Sequence, residues 1–136
     1  MTKKSISSPV ERSRFIGFKN VAVNFSEGAK VAYEYEYYNA AGVLIVHATI
    51  AIADALTIKK GGLKCKGDNH FEVINLIREI IEQDSKAKAA VNHLEAIISF
   101  KNDVSYSGDI YLKSDIDKLS KHFTRFYNWA EHILVS

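Results

Sequence analysis

Two polar side chains inside an apolar stretch are the first candidates for chemistry. His47 and Asp54 lie seven residues apart in a run rich in alanine and isoleucine, so on a helix they share one face, about 10 Å apart along the axis. A buried polar group needs a partner. This face therefore lines a cleft or a subunit contact, or its polar groups are satisfied inside the core by tyrosine hydroxyls or helix-end amides.

His70 opens the third predicted helix, and with His47 and Asp54 it makes a mixed set of the ligand types that metals accept. Their spacing matches no metal motif, so we predict no metal site. Gly-rich phosphate loops, His-Glu-x-x-His and paired cysteines are also missing from the sequence. We expect no cofactor.

A second candidate is the polar segment from Lys101 to Tyr106, which follows an apolar helix. Its cation, the amide of Asn102, the carboxylate of Asp103 and the phenol of Tyr106 are closely spaced. Such groups can contact a phosphate and the neighbouring sugar or base. The alternative is a polar helix end that only turns the chain, and spacing alone favours that alternative.

The single cysteine, Cys65, lies between Lys64 and Lys66. Flanking positive charge can lower a thiol pKa, but an ordinary loop cysteine is the interpretation we favour. One cysteine cannot form an internal disulfide or build a zinc site by itself. The sequence therefore predicts a reducing, cytoplasmic compartment.

Composition indicates one globular domain over residues 1–136, with residues 1–8 expected to be flexible. Apolar residues make up 47% of the 136 residues and charged residues 25%. The net charge of +2 does not indicate a nucleic-acid binder by bulk charge, although a local basic patch can still form. No apolar run follows the N-terminal lysines, so we predict no signal peptide.

Apolar periodicity predicts five helices. The first runs from about Pro9 to the tyrosine cluster at 33–38, and the second from 40 to 58 with Asn39 as its N-cap. The third runs from Asn69 to about Gln83, and the fourth from Asp84 to Phe100. Ser114 and Asp117 cap the fifth, whose apolar stripe is Ile116, Leu119, Phe123, Phe126, Tyr127, Ala130, Ile133 and Leu134.

The second helix approaches the ~20 residues of a membrane span, but it contains His47 and Asp54, and we interpret it as a core helix.

The alternating tyrosines at 33–37 resemble a strand, yet no second strand-like run offers a partner. We predict a helix end or a tight turn there. The predicted fold class is all-α, an up-and-down bundle of about five helices without membrane insertion.

Two stretches resemble the HEPN family of small helical domains. The apolar run from Tyr38 to Leu56 is similar to the family's second helix, and the segment 101–106 is paired with an aromatic final helix at 123–130. The resemblance spans about residues 10–134. It implies a homodimer from a bacterial toxin–antitoxin or defence system, associated with RNA or a nucleotide, with an antitoxin or a nucleotidyltransferase as a possible partner.

Ribonuclease members of that family carry an arginine, a polar residue and, a few positions later, a histidine. Here the resemblance places Lys101, Asn102 and Tyr106 at those positions. Lysine lacks the bidentate guanidinium fork, and tyrosine, with its pKa near 10, is a poor general base near neutrality. We therefore expect weakened or lost ribonuclease activity, with His47 or His70 as possible sources of an imidazole.

Three hypotheses follow from these residues. The first is a dimeric, RNA- or nucleotide-associated HEPN-like domain in which Lys101 contacts phosphate, Asn102 orients it and Tyr106 hydrogen-bonds or stacks. The second is a non-catalytic protein-interaction module. The third is an active metal-independent ribonuclease with a variant motif.

Overall fold

The structure, a computed structural model, describes residues 7–67 and 70–136, except for the side chains of residues 102–106. Five α-helices and a two-stranded sheet are present in this part of the chain. Their bounds in chain order are β1 Ser7–Pro9, α1 Phe15–Glu34, α2 Tyr38–Gly61, β2 Leu63–Cys65, α3 Phe71–Ile80, α4 Ser85–Tyr106 and α5 Lys113–Val135. The predicted all-α bundle is confirmed at the level of fold class.

Helix α2 is the central element because it is apolar on every side. Fifteen of its 24 residues are buried, and α1, α3, α4 and α5 all pack on it. By length and composition this helix is the one described element able to cross a membrane. However, 83% of its most apolar 18-residue stretch is buried inside the protein. It therefore packs as a core helix.

The four long helices alternate in direction. The Lys59 ammonium at the end of α2 lies 5.0 Å from the ring centroid of Phe15 at the start of α1, so these helices are antiparallel. The same ammonium donates to the carbonyls of Leu134 and Ser136, which places the end of α5 beside the end of α2. Helix α4 returns between them, and its start packs with the second half of α2.

The sheet corrects the prediction that the chain contains no strand. Strands β1 and β2 pair antiparallel, with Ser7 opposite Cys65 and Pro9 opposite Leu63. Runs of three residues are too short to show alternation, and their partner lies more than fifty residues away. Ser7 and Ser8, which fall in the segment 1–8 that we expected to be flexible, are thus paired, and Cys65, which we interpreted as a loop cysteine, lies in a strand.

The tyrosine-rich turn is confirmed between Glu34 and Tyr38, with Glu36 at a positive φ of 63°. The predicted N-cap role of Asn39 is wrong, because Asn39 lies inside the first turn of α2. Its amide instead donates to the carbonyl of Asp109 at 2.9 Å and accepts from the backbone N–H of Tyr111 at 2.9 Å. One side chain thus joins α2 to the α4–α5 connection.

Two other predicted boundaries are wrong. Helix α3 ends at Ile80, short of Gln83, because Ile81 turns to an extended conformation; the predicted cap Asn69 lies outside the described residues. Helix α5 is capped two residues earlier than predicted, at Leu112 instead of Ser114, where the carboxylate of Asp115 accepts from the backbone N–H of Leu112 at 2.8 Å. Its predicted apolar stripe lies on the core side.

The start of α4 is confirmed, since the Asp84 carboxylate accepts from the backbone N–H of Ala87 at 2.8 Å. Its end is not at Phe100 as predicted. The helix continues to Tyr106, because no glycine or proline interrupts it before Gly108, which has a positive φ of 80°. The segment 101–106 therefore forms the last turns of α4.

Candidate functional site

The segment named by the resemblance is only partly visible at the side-chain level. Lys101 is half-buried on α4. Within the described part of the chain it forms no hydrogen bond or ion pair. The side chains of Asn102, Asp103 and Tyr106 lie outside the described residues, so the proposed contacts of this segment remain predictions.

The two polar residues of α2 lie in different surroundings, although their spacing puts them on one face. His47 is exposed, and its ring centroid lies 5.9 Å from that of Phe25 on α1. Asp54 is only 7% exposed. The difference arises because the β1–β2 end of the bundle covers Asp54 and stops short of His47.

Asp54 has a charged partner that the sequence did not predict. Its Oδ2 lies 3.8 Å from the Nζ of Lys64, on β2. Burial raises the pKa of Asp54 to about 6, against the opposing attraction of the lysine. The sequence left open a tyrosine or a helix-end amide as the partner of this carboxylate; its charged partner in the structure is a lysine of the unpredicted strand.

Two further sequence candidates also fall near β2 and α3. Cys65 is half-buried, and burial together with the charges of Asp54 and Glu72 raises the pKa of its thiol. The lysines beside it therefore do not activate it, contrary to the lowered thiol pKa considered from the sequence. His70 is half-buried directly before α3. Among the described residues, no group of three or more histidine, cysteine or acidic side chains is placed to hold a metal ion.

A basic patch forms where the N-terminal segment folds against the end of α2. The backbone N–H of Val10 donates to the carbonyl of Gly62 at 2.8 Å, and the guanidinium of Arg12 donates to the carbonyls of Lys59 and Lys60 at 3.3 and 3.2 Å. We call residues 7–14 and 58–67 the basic end. Its cations are Arg12, Arg14, Lys59, Lys60, Lys64 and Lys66.

Charge is strongly segregated by this arrangement. The basic end holds six cations and one acidic residue, Glu11, a net charge of +5. The remaining 12 basic and 15 acidic residues carry a net charge of −3, which leaves the chain at +2 overall. The sequence showed the basic run at 63–68, but the addition of Arg12 and Arg14 depends on the β1–β2 pairing.

A groove between α1 and α5 is a second feature that the sequence did not reveal. Its volume is about 720 Å³, and Ile45 and Ile116 are among its apolar lining residues. The hydroxyl of Tyr33 donates to Asp117 across it at 2.6 Å. Lys19 and Glu131 form a second bridge between the two helices at 2.9 Å. The hydrogen bond to Asp117 and burial both raise the pKa of Tyr33.

A histidine pair joins α4 to α5. The Nδ1 atoms of His93 and His122 lie 2.9 Å apart, and both rings are half-buried. Burial, followed by the charges of His122 and Arg125, lowers the pKa of His93. No signal in the sequence could have found this pair, because its members lie 29 residues apart on separate helices.

Comparison of the chain with family models, with curated proteins and with solved structures finds no match.

Proposed function

We propose that this chain is a HEPN-like, dimeric, cytoplasmic domain of a bacterial toxin–antitoxin or defence system. It associates with RNA or a nucleotide and has weakened or lost ribonuclease activity. The observation that supports RNA association best is the basic end, whose residues include six cations and one acid, Glu11, while Lys64 is paired with the buried Asp54. The HEPN assignment itself is supported by the resemblance and by the all-α bundle.

Three cations of the basic end are free to contact phosphate. Arg14, Lys60 and Lys66 are exposed, and within the described part of the chain they form no hydrogen bond or ion pair. Arg12 and Lys59 are already bonded to backbone carbonyls, so they position the patch while still contributing charge. A single-stranded RNA that neutralises such cations releases counterions, and its affinity falls as the salt concentration rises.

The weakened nuclease activity is supported by residue chemistry and by distance. Lys101 lies 16 residues beyond the start of α4, which is about 24 Å along the helix. The start of α4 packs beside the second half of α2, so Lys101 is far from the basic end. RNA held by the basic end of one subunit would therefore have to extend along α4 to reach Lys101 of that same subunit.

The experiment measures salt-dependent RNA binding in variants of matched charge. Fluorescence anisotropy of a labelled single-stranded RNA is recorded between low and physiological salt. The double variant Lys60→Gln/Lys66→Gln is compared with Lys118→Gln/Lys121→Gln, which removes two exposed lysines of α5. We expect the patch variant to reduce the slope of log K against log salt by about 1.4, at about 0.7 per lost contact. The control keeps the wild-type slope.

Two outcomes would replace this proposal. Salt-independent or undetectable RNA binding favours the protein-interaction module, for which the α1–α5 groove is the available surface. RNA cleavage without metal that is abolished by Lys101→Ala and by Tyr106→Phe favours the active ribonuclease.

A further inference from the structure

The half-buried histidine pair on α4 and α5 has no part in the proposed RNA contacts. Its Nδ1 atoms approach to 2.9 Å, with ring centroids 5.2 Å apart and ring planes inclined by 51°. At this distance one Nδ1 carries the proton and the other accepts it, so the ring nitrogens of the two helices point toward each other. Convergent imidazole nitrogens are the usual way in which proteins ligate late first-row transition metals.

We propose that His93 and His122 form a two-histidine site for a divalent transition-metal ion of the zinc and copper class, bridging α4 and α5. Two metal–nitrogen bonds of about 2.0–2.1 Å at a tetrahedral angle separate the nitrogens by about 3.3 Å. The observed 2.9 Å is therefore about 0.4 Å too short. A small rotation of either ring supplies that difference.

The proton balance of binding is simple. The metal replaces the proton shared between the two Nδ1 atoms, and that proton moves to Nε2 of the ring that carried it. Both ligands are then neutral imidazoles, and water fills the remaining positions of the metal.

The surroundings of the pair combine small side chains with one positive charge. On α4 the residues one turn from His93 include Ala89, Ala90 and Ala96, whose side chains are single methyl groups. On α5 the neighbour Arg125 contributes a positive charge that acts on His93. That charge opposes a cation but is exposed to solvent and therefore screened. The site accordingly binds more weakly than one with a carboxylate as third ligand.

The test is isothermal titration of the full-length chain, free of any histidine tag, with zinc chloride at pH 7.5 and with copper(II) under the same conditions. We expect one ion per chain, and tighter binding of copper than of zinc. His93→Ala and His122→Ala should each reduce the affinity at least tenfold. His132→Ala, which removes an exposed histidine of α5, should leave it unchanged.

Arg125→Gln provides a second test. Loss of the guanidinium removes a positive charge beside the pair and should tighten metal binding, and an incidental surface histidine would not respond in this way. Nitrogen NMR of the wild-type imidazoles should show Nδ1, not Nε2, as the coordinated atom in both rings. Absence of one-to-one binding overturns the site, as does binding that survives both alanine substitutions or depends on His132. RNA binding is measured separately, so failure of this site leaves the proposed function untouched.

Discussion

Asp54 is the residue at which burial and charge conflict most directly. Its carboxylate is 7% exposed, and its pKa is raised to about 6 from 3.8. At neutral pH, keeping it ionised in the folded state costs on the order of 3 kcal/mol relative to the unfolded chain. Lys64 offsets part of the cost of charge burial, and in doing so it ties β2 to the middle of the core helix.

This pKa shift predicts how stability varies with pH. Between about pH 4 and pH 6 the folded chain holds a proton on Asp54 that the unfolded chain has released. The free energy of unfolding attributable to this group therefore falls as pH rises through that window and is constant above it. Asp54→Asn removes the titration, and we expect urea unfolding of this variant to show a smaller decline from pH 4 to pH 6.

The matched control for this measurement is Asp109→Asn, which changes an exposed aspartate. It should keep the wild-type decline. At pH 7 the Asp54→Asn chain should be at least as stable as the wild type, because an uncharged amide is cheaper to bury. Equal pH dependence in Asp54→Asn and wild type would contradict the assigned protonation.

The sequence predicted the surroundings of a single residue only where those surroundings depend on the residue's own helix. The seven-residue spacing put His47 and Asp54 on one face, and an unpredicted strand decided which of them is covered. Likewise, the pKa of Cys65 depends on carboxylates from α2 and α3, while the sequence around it shows only lysines. The spacing of residues along the chain does not show which distant segments will contact them.

Asn39 couples elements through its side chain. Its amide makes two bonds of 2.9 Å to the α4–α5 connection, and Asn39→Ala would leave a carbonyl and an N–H without these partners. We expect a loss of about 1–3 kcal/mol in the free energy of unfolding. Asn24→Ala, at an exposed position of α1, is the control, because it shares the gain in helix propensity. Denaturant unfolding of both measures the difference, and equal stabilities would show that the bridge contributes nothing.

The helices could be predicted from the sequence because each carries its own periodic stripe. The buried residues Ala22, Ala29 and Ala32 of α1 recur at spacings of seven and three, the period of one helix face, and Asp84 caps α4 as its position suggested. The β1–β2 pair could not be predicted, since three-residue strands have no period of their own. The end of α4 was missed for another reason: polar residues can continue a helix when nothing breaks it.

At the scale of the whole molecule, charge segregation follows from topology. Arg12 and Arg14 join the lysines of 59–66 only because the N-terminal segment returns to the end of α2. The segment 101–106, which is the candidate site predicted from the resemblance, thus lies toward the end of α4, whereas the basic end lies toward its start. A dimer could bring different ends together, which makes the oligomeric state decisive for the proposed function.

Helix α1 is the face best suited to a second copy of the chain. It exposes several large apolar side chains, among them Ile16 at 54% and Val31 at 55%. At 100° per residue these two lie about 60° apart around the helix. Its two lysines are balanced by two glutamates, so the helix carries no net charge that would repel a second copy. Contiguous exposed apolar surface of this kind marks interaction sites.

We expect sedimentation equilibrium to give twice the monomer mass of 15.3 kDa for the wild type. Ile16→Glu/Val31→Glu should shift the chain to the monomer, because it introduces like charges into an apolar contact. The control Ile110→Glu/Leu112→Glu alters residues that are 85% and 65% exposed in the α4–α5 connection, and it should remain dimeric.

If the wild type is a clean monomer, a composite site across two subunits is excluded, and RNA association rests on the basic end of one chain. If both double variants stay dimeric, the contact lies on a face other than α1.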